Sequence, residues 1–216
     1  MKNTWKKLVS AGMILAMTIA LCACGSQASS GSSASGSTAG TAASSADSAR
    51  TDIIIGVAAE PGNLDPNESL GASINENMAL CLTTLGDDML PKPEIAKSWT
   101  VSDDGLEYVF EIDTDIRFAN GDNITAEDVE FSLNRAWAYP GNSQYFDALT
   151  AVDILDDTHI KCTLGYKCAL FPTYMADSSS TIVSKKVVEA AGDDYGINPA
   201  GSTAGPYDFV SWTPGV

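Results

Sequence analysis

A mixed fold of strands and helices is predicted for residues 51–216 by three features that lie close together in the chain. Leu106, Tyr108, Phe110 and Ile112 alternate after the turn Ser102-Asp103-Asp104-Gly105, which predicts a hairpin with the extended residues Trp99-Thr100-Val101. Thr125 is followed three residues later by Asp128, a capping-box spacing, and Val129, Leu133 and Ala136 with Trp137 give the apolar stripe of the helix that starts there. Residues 152–155 and 159–164 make a second extended pair around Asp156-Asp157. Together these predict α/β or α+β architecture.

The remaining elements follow in chain order. Residues 52–58 are β-branched and apolar and stop at Glu60-Pro61-Gly62-Asn63, so they read as a buried strand and a turn. Ile74, Met78, Cys81, Leu82 and Leu85 recur at helical spacing, which predicts a helix over 75–85 with Cys81 packed in its stripe. Residues 184–191 read as a short helix stopped by Gly192, and 207–212 as a last strand. A stretch of 166 residues can bury roughly 70% of its unfolded surface in one core.

The first fifty residues have a different character. Lys2, Lys6 and Lys7 precede 16 almost wholly apolar residues, 8–23, which end in Leu21-Cys22-Ala23-Cys24-Gly25. Small residues before a cysteine predict a lipoprotein signal peptide over 1–23, with cleavage before Cys24 and acylation of its thiol and amine. The apolar run falls short of the roughly 20 residues a membrane span needs, and the rival reading is an uncleaved anchor. Residues 25–50 number 26, of which 23 are Ser, Ala, Gly or Thr. They have little apolar surface to bury and read with Cys24 as a flexible tether over 24–50, reaching about 28 Å r.m.s.; a glycosylated stalk is the alternative.

Charge and chemistry exclude several classes. The chain carries 12 Lys and Arg against 28 Asp and Glu, and loss of the three leader lysines leaves nine cations and a net charge of −19. That balance excludes a nucleic-acid partner and argues against docking on anionic lipid, so the acyl chains must provide the membrane attachment. The single histidine, His159, sits at an outward position of an alternating strand, with no second histidine to build a zinc site or a partnered base. Asp87-Asp88, Asp103-Asp104, Asp156-Asp157 and Asp193-Asp194 read as turn formers. Asp113 and Asp115 begin like a calcium loop, but Arg117 takes the next ligand position. The stretch Gly201-Ser202-Thr203-Ala204-Gly205 has neither a phosphate-loop lysine nor a nucleophile elbow and reads as a flexible bend. Cys162 and Cys168 could pair in an oxidising exterior, although Cys162 points with Ile160 and Leu164 in the strand pattern. No catalytic residue, metal site or cofactor site is identified, which favours binding or transport over catalysis.

Four ordered motifs carry a resemblance. They are Asn63-Leu64-Asp65-Pro66; Glu94-Ile95-Ala96-Lys97-Ser98-Trp99 leading through Ser102-Asp103-Asp104-Gly105 into Leu106-Glu107-Tyr108-Val109-Phe110; Ile116-Arg117-Phe118-Ala119-Asn120-Gly121-Asp122 with Ile124-Thr125-Ala126-Glu127-Asp128-Val129 and Phe131-Ser132-Leu133; and Gly205-Pro206-Tyr207 with Phe209-Val210 and Trp212. In that order they resemble the family 5 extracellular solute-binding proteins of ABC importers, the dipeptide and oligopeptide binders. The resemblance implies an α/β fold, the N-terminal lobe of a two-lobed periplasmic-binding-protein type II (cluster C) architecture that closes on its ligand. It implies a core of 51–72 and 165–216 with an inserted subdomain over 73–164. The family continues past the tryptophan matching Trp212 into a second lobe, whereas this chain stops at Gly215-Val216; the expectation is therefore a first lobe alone, a fragment or truncated product.

The implied function is capture of peptides outside the cell for delivery to ABC permease subunits, from a lipid anchor on the outer face of the cell membrane, in the periplasmic space or at the cell surface. Alternatives are a binder of a sugar, nickel or a similar solute, or a lipid-anchored sensor of the same fold. For ligand contact the resemblance implicates Leu70, Gly71, Ala72 and Ser73, which match a segment that crosses the cleft, with Gly71 allowing close backbone approach. It also implicates Tyr145, near the pocket wall, and Asn75, which either caps the helix after it or touches ligand.

Overall fold

The computed structural model describes residues 54–56, 60–68 and 74–215. Its centre is an antiparallel four-stranded sheet made from both predicted hairpins. Strands β3 (Ala96–Val101) and β4 (Glu107–Ile112) pair with Trp99 opposite Phe110 and Val101 opposite Tyr108. Strands β5 (Leu149–Asp156) and β6 (His159–Leu164) pair with Val152 opposite Cys162, and β6 also pairs with β4, giving the order β3-β4-β6-β5. Both turns close on aspartate. Asp104 Oδ1 accepts from the Leu106 N–H at 3.1 Å and the Ser102 hydroxyl at 2.6 Å, and Gly105 sits at φ +71°, where a side chain would be strained. Asp156 Oδ1 accepts from the Thr158 N–H at 2.8 Å, and that bond, with the His159 contact, pulls its carboxyl from the ordinary 3.8 to about 2.

Alternation decides which face is buried. Tyr108, Phe110, Ile112, Ile160, Cys162 and Leu164 point into the core, where helix α2 (Ala126–Ala138) lays Val129, Leu133 and Ala136 against them. Phe171 completes the layer, its ring centroid 5.3 Å from Tyr108 and 6.4 Å from Phe110. The opposite face is polar: Lys161 lies 3.4 Å from Glu107 and 3.6 Å from Asp153. The capping box of α2 is present, with the Thr125 hydroxyl accepting from the Asp128 N–H and Asp128 Oδ2 accepting from the Thr125 N–H at 3.0 Å. Trp137, expected with the buried stripe, is instead 38% exposed. Helix α5 (Lys185–Ala191) ends at Gly192, φ +54°, as expected.

Four local expectations fail, each where tertiary partners override local pattern. The helix predicted over 75–85 exists only as α1 (Asn75–Met78), and Thr83–Leu85 is strand β1, paired with β2 (Pro91–Pro93). The backbone there bonds outward: the carbonyls of Cys81 and Leu82 accept from Ile95 and Ala96, and Thr83 donates to Met175 and Pro172. With two β-branched threonines and Gly86 following, helix had little local support. Ile54 and Ile55, expected in a buried strand, are 87% and 69% exposed and pair with nothing among the described residues. Residues 207–212 likewise form no strand, and Val210 is 90% exposed. A strand requires a partner, which composition alone does not supply. Residues 201–205 are no flexible bend. Ser202 and Thr203 are buried, Thr203 O accepts from Ala119 N at 2.8 Å, and Gly205 N donates to Met78 O at 2.8 Å.

Cys81, Cys162 and Cys168 are free thiols. Cys81 is buried as expected, although outside a helix, and burial with the nearby Glu94 carboxylate pushes its thiol pKa well up. Cys162 faces the core, where burial pushes its thiol up to about 12. Among the described residues no helix is long and apolar enough to cross a membrane.

Candidate ligand-binding site

Two polar arrangements stand out, one at residues 65–67 and one at Tyr145. The first fixes residues 65–67, which lead into the candidate segment. The Arg135 guanidinium on α2 donates through Nη1 to Asp65 Oδ1 at 2.6 Å and Asn67 Oδ1 at 2.9 Å, and through Nη2 to Asp65 Oδ2. Burial opposes its charge, but the Asp65 bonds outweigh burial and hold its pKa above the ordinary value. The guanidinium also lies 5.3 Å from the ring centroid of Tyr195. Asn67 Nδ2 donates to the carbonyls of Ser179 and Thr181, and Asn142 Nδ2 donates to those of Asn67 and Ala136. Five stretches of chain thus meet at one polar knot. An open concavity of about 550 Å³ beside it, between α2 and α5, is lined by Glu130, Phe131, Asn134, Arg135 and Lys185.

The second arrangement surrounds Tyr145. Helix α3 (Ser143–Phe146) holds this tyrosine half-buried against the core, its ring centroid 5.8 Å from that of Tyr174 at 66°. Tyr174 closes helix α4 (Phe171–Tyr174). Burial, then the nearby Asp177 carboxylate, raises the Tyr145 pKa. Asp177 also accepts from the N–H and hydroxyl of Ser179, at 3.0 and 2.7 Å, and caps the 3₁₀ turn Ser178–Ser180. Glu94 is half-buried and accepts from the Cys81 N–H at 2.7 Å, and burial raises its pKa.

Asn75 departs from the capping role. Ile74 occupies the cap position of α1 without a side-chain bond, and Asn75 is 2% exposed, its amide nitrogen without a partner among the described residues. Leu70, Gly71, Ala72 and Ser73 lie outside the described residues. Sequence reasoning did not single out Tyr174, Asp177 or Arg135, which the structure places in these two arrangements; the Asp177-Ser178-Ser179 cap pattern was the one local signal for Asp177.

The fold is that of type II periplasmic binding proteins, of which the chain covers one part. The chain belongs to the bacterial extracellular solute-binding proteins, family 5 (middle), whose profile matches residues 91–216. Among its relatives, the glutathione-binding protein GsiB of Salmonella typhimurium is 28% identical over 171 residues, which cover 76% of this chain and 33% of GsiB. NikZ from Campylobacter jejuni, solved in complex with Ni(L-His), is 30% identical with a TM-score of 0.62 over 73% of this chain and 32% of NikZ. AgaA from A. tumefaciens R10, solved with agropinic acid, is 29% identical with a TM-score of 0.63 over 72% and 32%. The chain spans about a third of the length of the curated relatives it matches. These relatives are binding proteins rather than enzymes.

Proposed function

We propose that the chain captures peptides or related small solutes outside the cell for delivery to the permease subunits of an ABC importer, tethered to the outer face of the membrane by lipid on Cys24. Membership of the solute-binding family is the observation that carries this reading. Three lines accompany it: a relative named for glutathione, relatives solved with small solutes, and a wall around Tyr145 that offers aromatic and hydrogen-bonding groups. In this reading Leu70, Gly71, Ala72, Ser73, Asn75 and Tyr145 contact ligand, and 73–164 is a subdomain inserted between core segments 51–72 and 165–216. The likeness to NikZ favours one second reading, capture of a small metal chelate.

Calorimetry with di- to hexapeptides, glutathione and Ni(L-His) separates the two. A few main-chain contacts at about 0.5–1.5 kcal/mol each do little more than offset an association cost of about 4 kcal/mol or more. Peptides are therefore expected to bind this chain at about 1 mM or weaker, roughly 4 kcal/mol. Heat with Ni(L-His) and none with any peptide would favour the second reading. Anchoring is tested separately: labelled palmitate should enter the chain and not its Cys24→Ala variant, and equal labelling would remove Cys24 from the account.

A further inference from the structure

Asn120-Gly121 is the one Asn-Gly pair in the chain, and it sits exposed in the loop that the bridge between Arg117 and Asn123 closes. Glycine places no Cβ beside its nitrogen, so that nitrogen reaches the side-chain carbonyl carbon of a preceding asparagine with little obstruction. The local chemistry therefore favours attack of backbone on side chain. The folded loop opposes it. Asn120 Oδ1 accepts from the Asp122 N–H at 2.8 Å, and Asn120 Nδ2 donates to Asp122 Oδ2 at 3.0 Å, so both ends of the amide are held. Lys186 on α5 donates to the same carboxylate oxygen at 2.9 Å and fixes Asp122 in turn. The Gly121 N–H, whose nitrogen is the attacking atom, donates to Phe118 O at 2.8 Å.

The loop is itself held by distant chain. Ala119 N–H donates to Thr203 O at 2.8 Å and Asn120 N–H to Gly201 O at 3.3 Å. Gly201, at φ +79°, packs so closely that a Cβ there would lie 3.1 Å from that of Asn120. Attack needs the amide turned off Asp122 and the Gly121 nitrogen freed from Phe118, which requires the loop to open locally. Exposed loops open at a fraction of the free energy of global unfolding.

We propose that Asn120 is a site of spontaneous deamidation that the folded loop holds off and that local opening releases. In the open loop the Gly121 nitrogen, having lost its proton to hydroxide, attacks Asn120 Cγ. The new C–N bond closes a succinimide ring, and the Cγ–Nδ2 bond breaks, its nitrogen taking a proton from water and leaving as ammonia. Water then adds to either imide carbonyl and leaves aspartate or isoaspartate. Isoaspartate lengthens the main chain by one carbon within the loop and removes the donor to Asp122, so the contacts with 201–203 cannot reform in register and the opening becomes permanent.

The test ages the chain at neutral pH, folded in buffer and unfolded in guanidinium chloride, and follows isoaspartate at residue 120 by peptide mapping and mass spectrometry. It should accumulate at least about tenfold more slowly in the folded chain, the ratio set by an opening free energy of about 1.4 kcal/mol. Gly121→Ala should remove most of the reaction in denaturant, where its effect on the folded turn plays no part. Asp122→Ala should raise the folded-state rate at least about threefold, because one of the bonds holding the amide is gone. Equal rates in the folded and unfolded parent would overturn the proposal, as would no reaction at residue 120 in denaturant. So would an Asp122→Ala chain that melts and ages like the parent; if that variant melts early, the folded and unfolded parent still decide the matter.

Discussion

Arg135→Met is expected to lower the free energy of unfolding by about 3 kcal/mol, because removing one member of a buried ion pair leaves the other charge stranded. Asp65 is 3% exposed, and beyond Arg135 its carboxylate accepts, among the described residues, only from the Asn67 N–H at 3.0 Å. Methionine replaces much of the stem volume, so the loss reports the polar knot rather than a cavity. The damage should also spread, since Asn67 Oδ1 loses its donor while holding Ser179 and Thr181 through its amide. Urea denaturation is the measurement. The pair Asp65→Asn with Arg135→Met should cost clearly less than the sum of the single changes, as for any coupled pair. A single-variant loss below about 1 kcal/mol would place the guanidinium effectively in solvent.

Gly205→Val should cost at least about 3 kcal/mol, for a purely steric reason. A Cβ at Gly205 would lie 2.3 Å from the carbonyl carbon and 2.5 Å from the carbonyl oxygen of Met78, and 2.6 Å from the nitrogen of Ala79. All three are backbone atoms, so no rotamer change relieves the overlap; the chain must move and give up the Gly205 N–H bond to Met78 O. Gly205→Ala should already show most of the effect. Gly62→Ala is the control, since nothing lies within 4 Å of its Cβ position, and it should stay within about 0.5 kcal/mol of the parent. If Gly205→Ala melts with the parent, residues 201–205 are not packed as described.

Locally determined features were legible in the sequence and non-local ones were not. The β3–β4 turn, the capping box at Thr125 and the Gly192 stop each involve residues within five positions of one another, and each forms as expected. The apolar spacing over 75–85 misled because Thr83 is claimed by Met175 and Pro172, some ninety residues away in sequence. Ile54, Ile55 and Val210 misled for a related reason, since β-propensity says that a residue suits a sheet, not that a neighbouring strand is there. At the candidate site, Tyr145 was singled out through family resemblance and is a proposal of this account. Tyr174 and Asp177 could not be singled out, because what joins them to Tyr145 is a ring contact and the influence of a nearby carboxylate across about thirty residues of chain.

The proposed function makes Tyr145 and Asn75 solute-contacting residues, and residue-resolved NMR during a titration with di- to hexapeptides tests that proposal most directly. The account predicts millimolar binding, with shifts concentrated at Asn75, Tyr145, Tyr174 and Asp177 and absent from the polar sheet face around Lys161 and Glu107. Shifts centred on that sheet face, or none anywhere at 10-fold the expected Kd of about 1 mM, would contradict it.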